Sequence, residues 1–237
     1  MLTRRNTTRS SIHSADFESG ELLLIDKPIG WTSFDVVNKI RYAVKAKVGH
    51  AGTLDPLATG LLIIATGRAT KQLEEFIGLG KEYTGTMTLG QTTPSFDGET
   101  EVDHEYDTSH ITLEMINKTA WSFIGEIVQE PPVFSAVKRE GKKSYILARK
   151  GKPQVPAPRQ VSIHSFEITA VNMPEVHFKV SCSKGTYIRS LVHDFGKALH
   201  NGAWLSRLCR TRIGEYRLED AWPLDEFIDL VKSLKDT

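Results

Sequence analysis

The stretch VHFKVSCSKGTYIRSLVHDFGKAL, from Val176 to Leu199, holds the clearest structural pattern in the chain. In its first seven residues apolar and polar side chains alternate, which is typical of a half-buried strand. After Gly185, apolar side chains recur every three or four residues, as they do on one face of a helix. The predicted buried residues are Val176, Phe178, Val180 and Cys182 in the strand and Ile188, Leu191, Val192, Phe195 and Leu199 in the helix.

The rest of the chain mixes strands and helices without a regular strand-helix-strand alternation. Apolar runs at Leu22 to Ile25 and Leu61 to Ala65 predict buried strands, and residues 83–89 alternate like a half-buried strand. Thr32-Ser33-Phe34-Asp35 matches a helix capping box, and Pro223 is placed to open a last helix. We therefore expect an α+β fold with a mixed, mostly antiparallel central sheet flanked by helices.

The composition is that of an ordinary globular protein, with 237 residues, 40% hydrophobic residues and a formal net charge of +1. The longest apolar runs are far shorter than the roughly 20 residues that cross a bilayer, so we expect no membrane segment. Cys182 and Cys209 lack metal-ligand spacing, and we expect neither a metal site nor a disulfide framework. Residues 1–19, rich in Arg, Ser and Thr, predict a flexible N-terminal tail, with a targeting peptide as the alternative.

The near-zero net charge conceals an uneven charge distribution. Six acids lie between Asp97 and Asp107 without any Lys or Arg among them, which predicts a solvated loop, and without these six the formal net charge is +7. Basic residues concentrate in three clusters, which are typical of solvated surfaces but together favour a surface that binds nucleic-acid phosphates. Arg210 and Arg212 are expected to share one face of a strand. The clusters are Lys39, Arg41, Lys45 and Lys47; Lys138, Arg139, Lys142, Lys143, Arg149, Lys150 and Lys152; and Arg207, Arg210, Arg212 and Arg217.

The segment VGHAGTLDPLATG, Val48 to Gly60, is the most unusual in the chain. Three glycines and one proline surround a single acid, Asp55, which indicates a loop shaped to place that carboxylate. The residues alone leave a second interpretation open, in which Asp55 only caps the turn before Pro56.

Besides the Asp55 segment, the chain carries seven further motifs: Leu24-Ile25-Asp26-Lys27-Pro28, Gly30-Trp31-Thr32-Ser33, Gly67-Arg68-Ala69-Thr70-Lys71, Lys81-Glu82-Tyr83-Thr84-Gly85, Leu89-Gly90-Gln91-Thr92, Pro131-Pro132-Val133-Phe134-Ser135-Ala136-Val137-Lys138 and Cys182-Ser183-Lys184-Gly185-Thr186-Tyr187-Ile188-Arg189-Ser190-Leu191. Together these motifs resemble the TruB-type tRNA pseudouridine-55 synthases, in that family's order from about Gly20 to Trp222. The resemblance implies the pseudouridine synthase fold and the isomerisation of one uridine in the T loop of tRNA. The C1′–N1 bond breaks, the uracil turns, and a C1′–C5 bond forms, with no metal, nucleotide or redox cofactor.

For catalysis, the resemblance implies that Asp55 is the essential carboxylate, a group that can act as a nucleophile or stabilise an oxocarbenium charge. Tyr187 matches the tyrosine proposed to take the C5 proton, and Arg189 matches the basic residue paired with the catalytic aspartate. Attack at C1′, addition at C6 and abstraction of the 2′ proton all remain open as the role of Asp55.

For substrate binding, the resemblance implies that Tyr83 stacks on the target base and that His50 inserts where flipped bases had been. The residues themselves leave structural roles open as alternatives to substrate binding, namely core packing and support of the active-site loop. The further matches are apolar pocket walls at Leu191 and Leu208 and backbone or phosphate positions at Lys27 and Lys71.

The expected organisation is a single catalytic domain over residues 20–237, without the C-terminal PUA-type RNA-binding domain that full-length bacterial members usually carry. The expected partner is the T-arm of tRNA, bound by a cytoplasmic monomer, and the basic clusters would then hold more of the tRNA. Two alternatives stay open. One is a guide-RNA-dependent pseudouridine synthase, and the other is an RNA-binding or RNA-folding module without turnover.

Overall fold

The computed structural model describes residues 2–3, 15–133, 138–139, 142–143 and 157–234, and these form the predicted α+β fold. The helices are α1 (Ser33–Val44), α2 (Leu73–Gly78), α3 (Leu113–Ser122), α4 (Ile188–Ala198) and α5 (Leu224–Ser233), with 3-10 helices at Gly67–Gln72 and Leu218–Asp220. The strands are β1 (Leu2–Thr3), β2 (Leu22–Lys27), β3 (Val48–Ala51), β4 (Ala58–Thr66), β5 (Lys81–Leu89), β6 (Gln91–Thr92), β7 (His104–Glu105), β8 (Gly125–Gln129), β9 (Lys138–Arg139), β10 (Lys142–Lys143), β11 (Arg159–Asn172), β12 (Glu175–Cys182), β13 (Ala203–Ile213), β14 (Tyr216–Arg217) and β15 (Trp222–Pro223).

The chain divides into two compact units. The first unit comprises Met1–Tyr83 and Leu208–Thr237, and the second comprises Thr84–Arg207. The prediction of one domain over residues 20–237 stays a prediction. No helix within the described residues is both long and apolar enough to span a membrane.

In the first unit, β4 is the strand around which the others pair. Along one edge it pairs antiparallel with β2. The other edge is shared, because β3 pairs antiparallel with residues 63–66 of β4 while β13 pairs parallel with residues 58–60. The segment Val48 to Gly60, predicted as a loop, therefore begins in strand β3 and ends in strand β4, and residues 52–57 between them make a short connection that carries Asp55.

Helices cover both faces of this sheet, which explains why its strands are continuous apolar runs rather than alternating ones. Leu23 packs on the face that carries α1 and α5, whereas Leu24 packs on the opposite face with Phe76 of α2. The predicted capping box is confirmed, since the Thr32 side chain accepts a hydrogen bond from the Asp35 backbone and the Asp35 side chain accepts one from Thr32.

Part of the predicted N-terminal tail belongs to this ordered unit. Leu2–Thr3 pairs parallel with the start of β2, and the ring of Phe17 packs edge-to-face on Phe227 with centroids 6.5 Å apart. The Gly20 backbone donates a hydrogen bond to the Asp16 carbonyl, which closes a turn before β2. The remainder of the predicted tail, residues 1 and 4–14, lies outside the described residues.

The second unit contains the stretch with the clearest sequence pattern, and both predicted elements are confirmed. Strand β12 buries Val176, Phe178, Val180 and Cys182, and it pairs antiparallel with β11, which pairs antiparallel with β8. Helix α4 buries its predicted apolar stripe, and Phe195 of that stripe packs against Phe166.

The acidic segment of the second unit is exposed at five of its six acids, as predicted, but the prediction is wrong for Asp97. The residue as a whole is only 5% exposed because its carboxylate pairs with the buried Arg189. The exposed acids are Glu99, Glu101, Asp103, Glu105 and Asp107.

Gly60 marks a close approach between two strands of the first unit, and we expect Gly60→Ala to lower the free energy of unfolding by about 2–4 kcal/mol. Its φ is +101°, and an added Cβ would lie 2.7 Å from the Arg210 backbone nitrogen and closer still to the Arg210 carbonyl oxygen. Gly30→Ala is the matched control, because φ is +81° there but no atom lies within 4 Å of the added Cβ. In urea unfolding, the control should lower the free energy of unfolding by about 1 kcal/mol only. Equal losses for the two variants would contradict the predicted close contact.

Candidate active site

Asp55 lies in the short connection between β3 and β4, where it is half-buried. The Ala58 backbone donates a hydrogen bond to the Asp55 carbonyl at 3.1 Å, so the chain turns into β4 directly after the acid. We call residues 52–57 the Asp55 loop.

Buried polar groups hold the backbone on both sides of Asp55. Before it, the Ser33 hydroxyl accepts a hydrogen bond from the Leu54 backbone at 2.9 Å and donates one to the Leu54 carbonyl at 3.1 Å. After it, the Gly30 backbone donates to the Pro56 carbonyl at 2.8 Å. The turn after β2 and the start of α1 therefore position the loop that carries the acid.

Lys27 lies fully buried beneath this loop. Its Nζ donates to the carbonyls of Trp31 at 2.6 Å, Pro28 at 2.9 Å and Pro56 at 3.4 Å. Burial lowers the pKa of Lys27 to about 8, and the nearby Asp55 carboxylate acts in the opposite direction. An ammonium held by carbonyls in this way favours loop support over contact with an RNA phosphate.

Arg210 corrects a sequence prediction. The sequence predicts a phosphate-binding face that Arg210 shares with Arg212, but Arg210 is only 1% exposed whereas Arg212 is exposed. The Arg210 Nε donates to the Leu61 carbonyl at 2.8 Å, and one terminal nitrogen donates to the Gly52 carbonyl at 3.0 Å. The strand pattern could not reveal this, because alternation places both arginines on one side and carries no signal for a buried cation.

His50 and Leu208 also lie in the first unit, next to the Asp55 loop. His50 is half-buried in β3, and burial together with the Arg210 guanidinium lowers its pKa, so the ring is uncharged at neutral pH. Leu208 pairs with Ala58 at the end of the Asp55 loop. Tyr83 is buried at 8% exposure in β5, in the same unit.

Three further predicted site residues, Tyr187, Arg189 and Leu191, lie in the second unit, at the start of α4. The Tyr187 backbone donates to the Gln129 side chain at 2.7 Å and accepts from it at 3.0 Å, and the Arg159 guanidinium lies 5.2 Å from the centre of the Tyr187 ring. Gln129 is fully buried and was not among the predicted site residues. Leu191 is 1% exposed and packs in the core of this unit.

Arg189 is buried in the second unit with a carboxylate partner that the sequence analysis missed. Its Nε lies 3.5 Å from Asp97 Oδ2, and a terminal nitrogen donates to the Ser95 carbonyl at 3.1 Å. The other carboxylate oxygen of Asp97 accepts from the Glu99 backbone at 2.9 Å. The pairing of Arg189 with Asp55 stays a prediction.

The predicted basic clusters are described only in part. The first cluster is exposed, and Lys45 and Lys47 line an open basic cavity with Arg68 and Lys71. In the second cluster, Lys138–Arg139 and Lys142–Lys143 form the antiparallel strands β9 and β10. Arg149, Lys150 and Lys152 lie outside the described residues. Across residues 15–133 and 157–234, no three His, Cys, Asp or Glu side chains come together to hold a metal ion.

A family model described as TruB family pseudouridylate synthase (N terminal domain) matches residues 39–188. The chain belongs to the TruB family. A tRNA pseudouridine synthase B of Flavobacterium johnsoniae is 51% identical to it over 214 residues, covering 87% of this chain and 93% of that protein. A tRNA pseudouridine synthase B of Phocaeicola vulgatus is 53% identical over 219 residues, covering 90% of this chain and 93% of that protein.

One solved structure has a similar fold. A chain of a Cbf5-Nop10-Gar1 complex superimposes with a TM-score of 0.71 at 32% identity, covering 92% of this chain and 55% of that one. The predicted family and the predicted pseudouridine synthase fold are therefore confirmed. The roles of the individual TruB-type site residues stay predictions.

Proposed function

We propose that this TruB-family enzyme isomerises uridine to pseudouridine at position 55, in the T loop of tRNA, with Asp55 as the essential carboxylate. The observation that carries the proposal is the Asp55 loop. A single half-buried carboxylate stands on a backbone that Ser33, Gly30 and Lys27 hold from both sides. Such fixed placement is what a group that attacks or stabilises a reacting atom needs.

The chemistry matches this carboxylate. Breaking the C1′–N1 bond develops positive charge on the ribose, which a carboxylate can stabilise or capture covalently. Attack at C1′, addition at C6 and removal of the 2′ proton each require the acid at a defined point relative to the nucleotide. The held backbone supports all three roles equally.

The remaining residues take the roles that the family resemblance implies. Tyr83 stacks on the flipped uracil, and His50, uncharged at neutral pH, fills the space that flipped bases leave. Tyr187 takes the C5 proton, and Arg189 pairs with the Asp55 carboxylate. Leu191 and Leu208 wall the uracil pocket, while Lys27 supports the loop and Lys71 contacts phosphate. The enzyme acts as a cytoplasmic monomer on the T-arm and needs no small-molecule cofactor.

The test is an assay on an unmodified tRNA transcript with the purified wild-type chain and no added cofactor. Pseudouridine at each uridine is read by chemical labelling and primer extension, and we expect it at the T-loop uridine only. Absence of product with intact tRNA binding would favour a non-catalytic RNA-binding module. Product that forms only after guide RNA is added would favour the guide-RNA-dependent alternative.

A further inference from the structure

We propose that Arg210 is a positioning residue for catalysis, which fixes the Asp55 loop against β4 through two backbone carbonyls. The inference rests on the proposed role of Asp55. It replaces the phosphate-binding role that the sequence pattern had predicted for this arginine.

The two carbonyls that Arg210 binds lie on either side of the acid. Gly52 is the first residue of the loop and precedes Asp55, whereas Leu61 follows Asp55 and lies inside β4. A guanidinium is planar, so two donors from one group set the separation of the two carbonyls more strictly than two independent side chains could. The guanidinium is also in van der Waals range of the loop, since a Cβ added to Gly52 would lie 3.5 Å from it.

The backbone from which Arg210 extends is itself rigid. Arg210 pairs with Gly60 in the parallel ladder between β13 and β4, at the close approach that leaves no room for a side chain on Gly60. Both ends of the Arg210 side chain are therefore held, by the ladder at its backbone and by the carbonyls at its tip. The residue connects the β4 ladder to the Asp55 loop without a flexible link.

Core packing alone does not explain why a charged side chain is buried at position 210. An arginine at 1% exposure carries a desolvation cost that an apolar side chain of similar volume would avoid. The charge of the buried Lys27 repels that of Arg210, and the Asp55 carboxylate attracts the Lys27 ammonium. Two buried cations are explained here by the groups that they hold, which are the backbone carbonyls around the Asp55 loop and the Asp55 carboxylate.

A residue that acts only by placing Asp55 should affect the chemical step and leave tRNA binding nearly unchanged. Arg210→Lys keeps the charge, but its donors all lie on one nitrogen and it lacks the planar fork that fixes the separation of the two carbonyls. A misplacement of about 1 Å can reduce a rate about 100-fold, so we expect a 10- to 100-fold fall in the single-turnover rate constant. The Kd for tRNA should stay within about twofold, since the side chain is buried.

The experiment compares Arg210→Lys and Arg210→Gln with Lys81→Gln. Lys81 is a matched control in the same unit, because its buried Nζ also donates to backbone carbonyls, those of Ile77 at 2.7 Å and Leu79 at 2.5 Å. The control should lose stability with a rate constant within about twofold of wild type. Hydrogen exchange should speed up at the Leu54 and Ala58 amides in both Arg210 variants and stay unchanged in α5.

Four results separate the inference from the proposed function. An active wild type with full rates in both Arg210 variants would overturn the positioning role. A tenfold loss of tRNA affinity with an unchanged rate constant would also overturn it, in favour of phosphate binding. Equal rate losses in the Arg210 variants and the Lys81 control would make the effect one of general stability. Activity retained in Asp55→Asn would instead overturn the proposed function itself.

Discussion

Asp55→Asn should reduce kcat for pseudouridine formation by about 10⁴-fold or more, because an amide can neither attack carbon nor accept a proton nor balance positive charge on the ribose. The substitution is nearly isosteric, and the loop is held through the backbones of Leu54 and Pro56. We therefore expect the folded structure and the affinity for tRNA to be preserved within a few-fold.

The measurement is single-turnover formation of pseudouridine in an unmodified tRNA transcript, with tRNA affinity from filter binding. Asp225→Asn is the matched control, since it makes the same change at an exposed residue of α5 in the same unit. It should retain full activity. Residual activity of the Asp55 variant within tenfold of wild type would assign the chemistry to another group.

Arg189→Met should lower the free energy of unfolding by about 3–5 kcal/mol, because it leaves the Asp97 carboxylate buried without its guanidinium. The side chains of both residues are less than a tenth exposed, at 4% and 7%. The same variant should lose activity by at least about 100-fold, because the predicted partner of Asp55 is gone. Urea unfolding and single-turnover rates provide the two measurements.

A double variant separates stability from catalysis at this pair. Arg189→Met combined with Asp97→Asn removes both charges and keeps an acceptor for the Glu99 backbone, which now donates to Asp97. We expect it to recover at least half of the lost stability, since no charge remains buried alone, while activity stays as low as in the single variant. Recovery of activity in parallel with stability would reduce the pair to a structural role.

The elements predicted correctly are those with a local signal. The capping box at Thr32 and Asp35 appears as predicted because its partners lie three residues apart. Strand β12 and helix α4 follow their periodicities because each buries one face against a core. The family's motifs around Asp55 were recognisable for the same reason, since their spacing is short.

The charged residues were the ones that local pattern misplaced. Asp97 begins a run of acids that otherwise stays exposed, and Arg210 lies in a strand beside the exposed Arg212. Arg189 reaches the Ser95 carbonyl across 94 residues of chain, and Arg210 reaches Gly52 across 158. No periodicity extends over such separations.

By itself, the sequence determined the strands and helices that carry a clear local pattern, their apolar faces and the segment that presents Asp55, because alternation and spacing are properties of neighbouring residues. Only the tertiary structure decided which charges are buried and what they hold. A charge becomes a buried support only when the fold brings carbonyls or a carboxylate to it from distant segments, since without them its desolvation would be too costly.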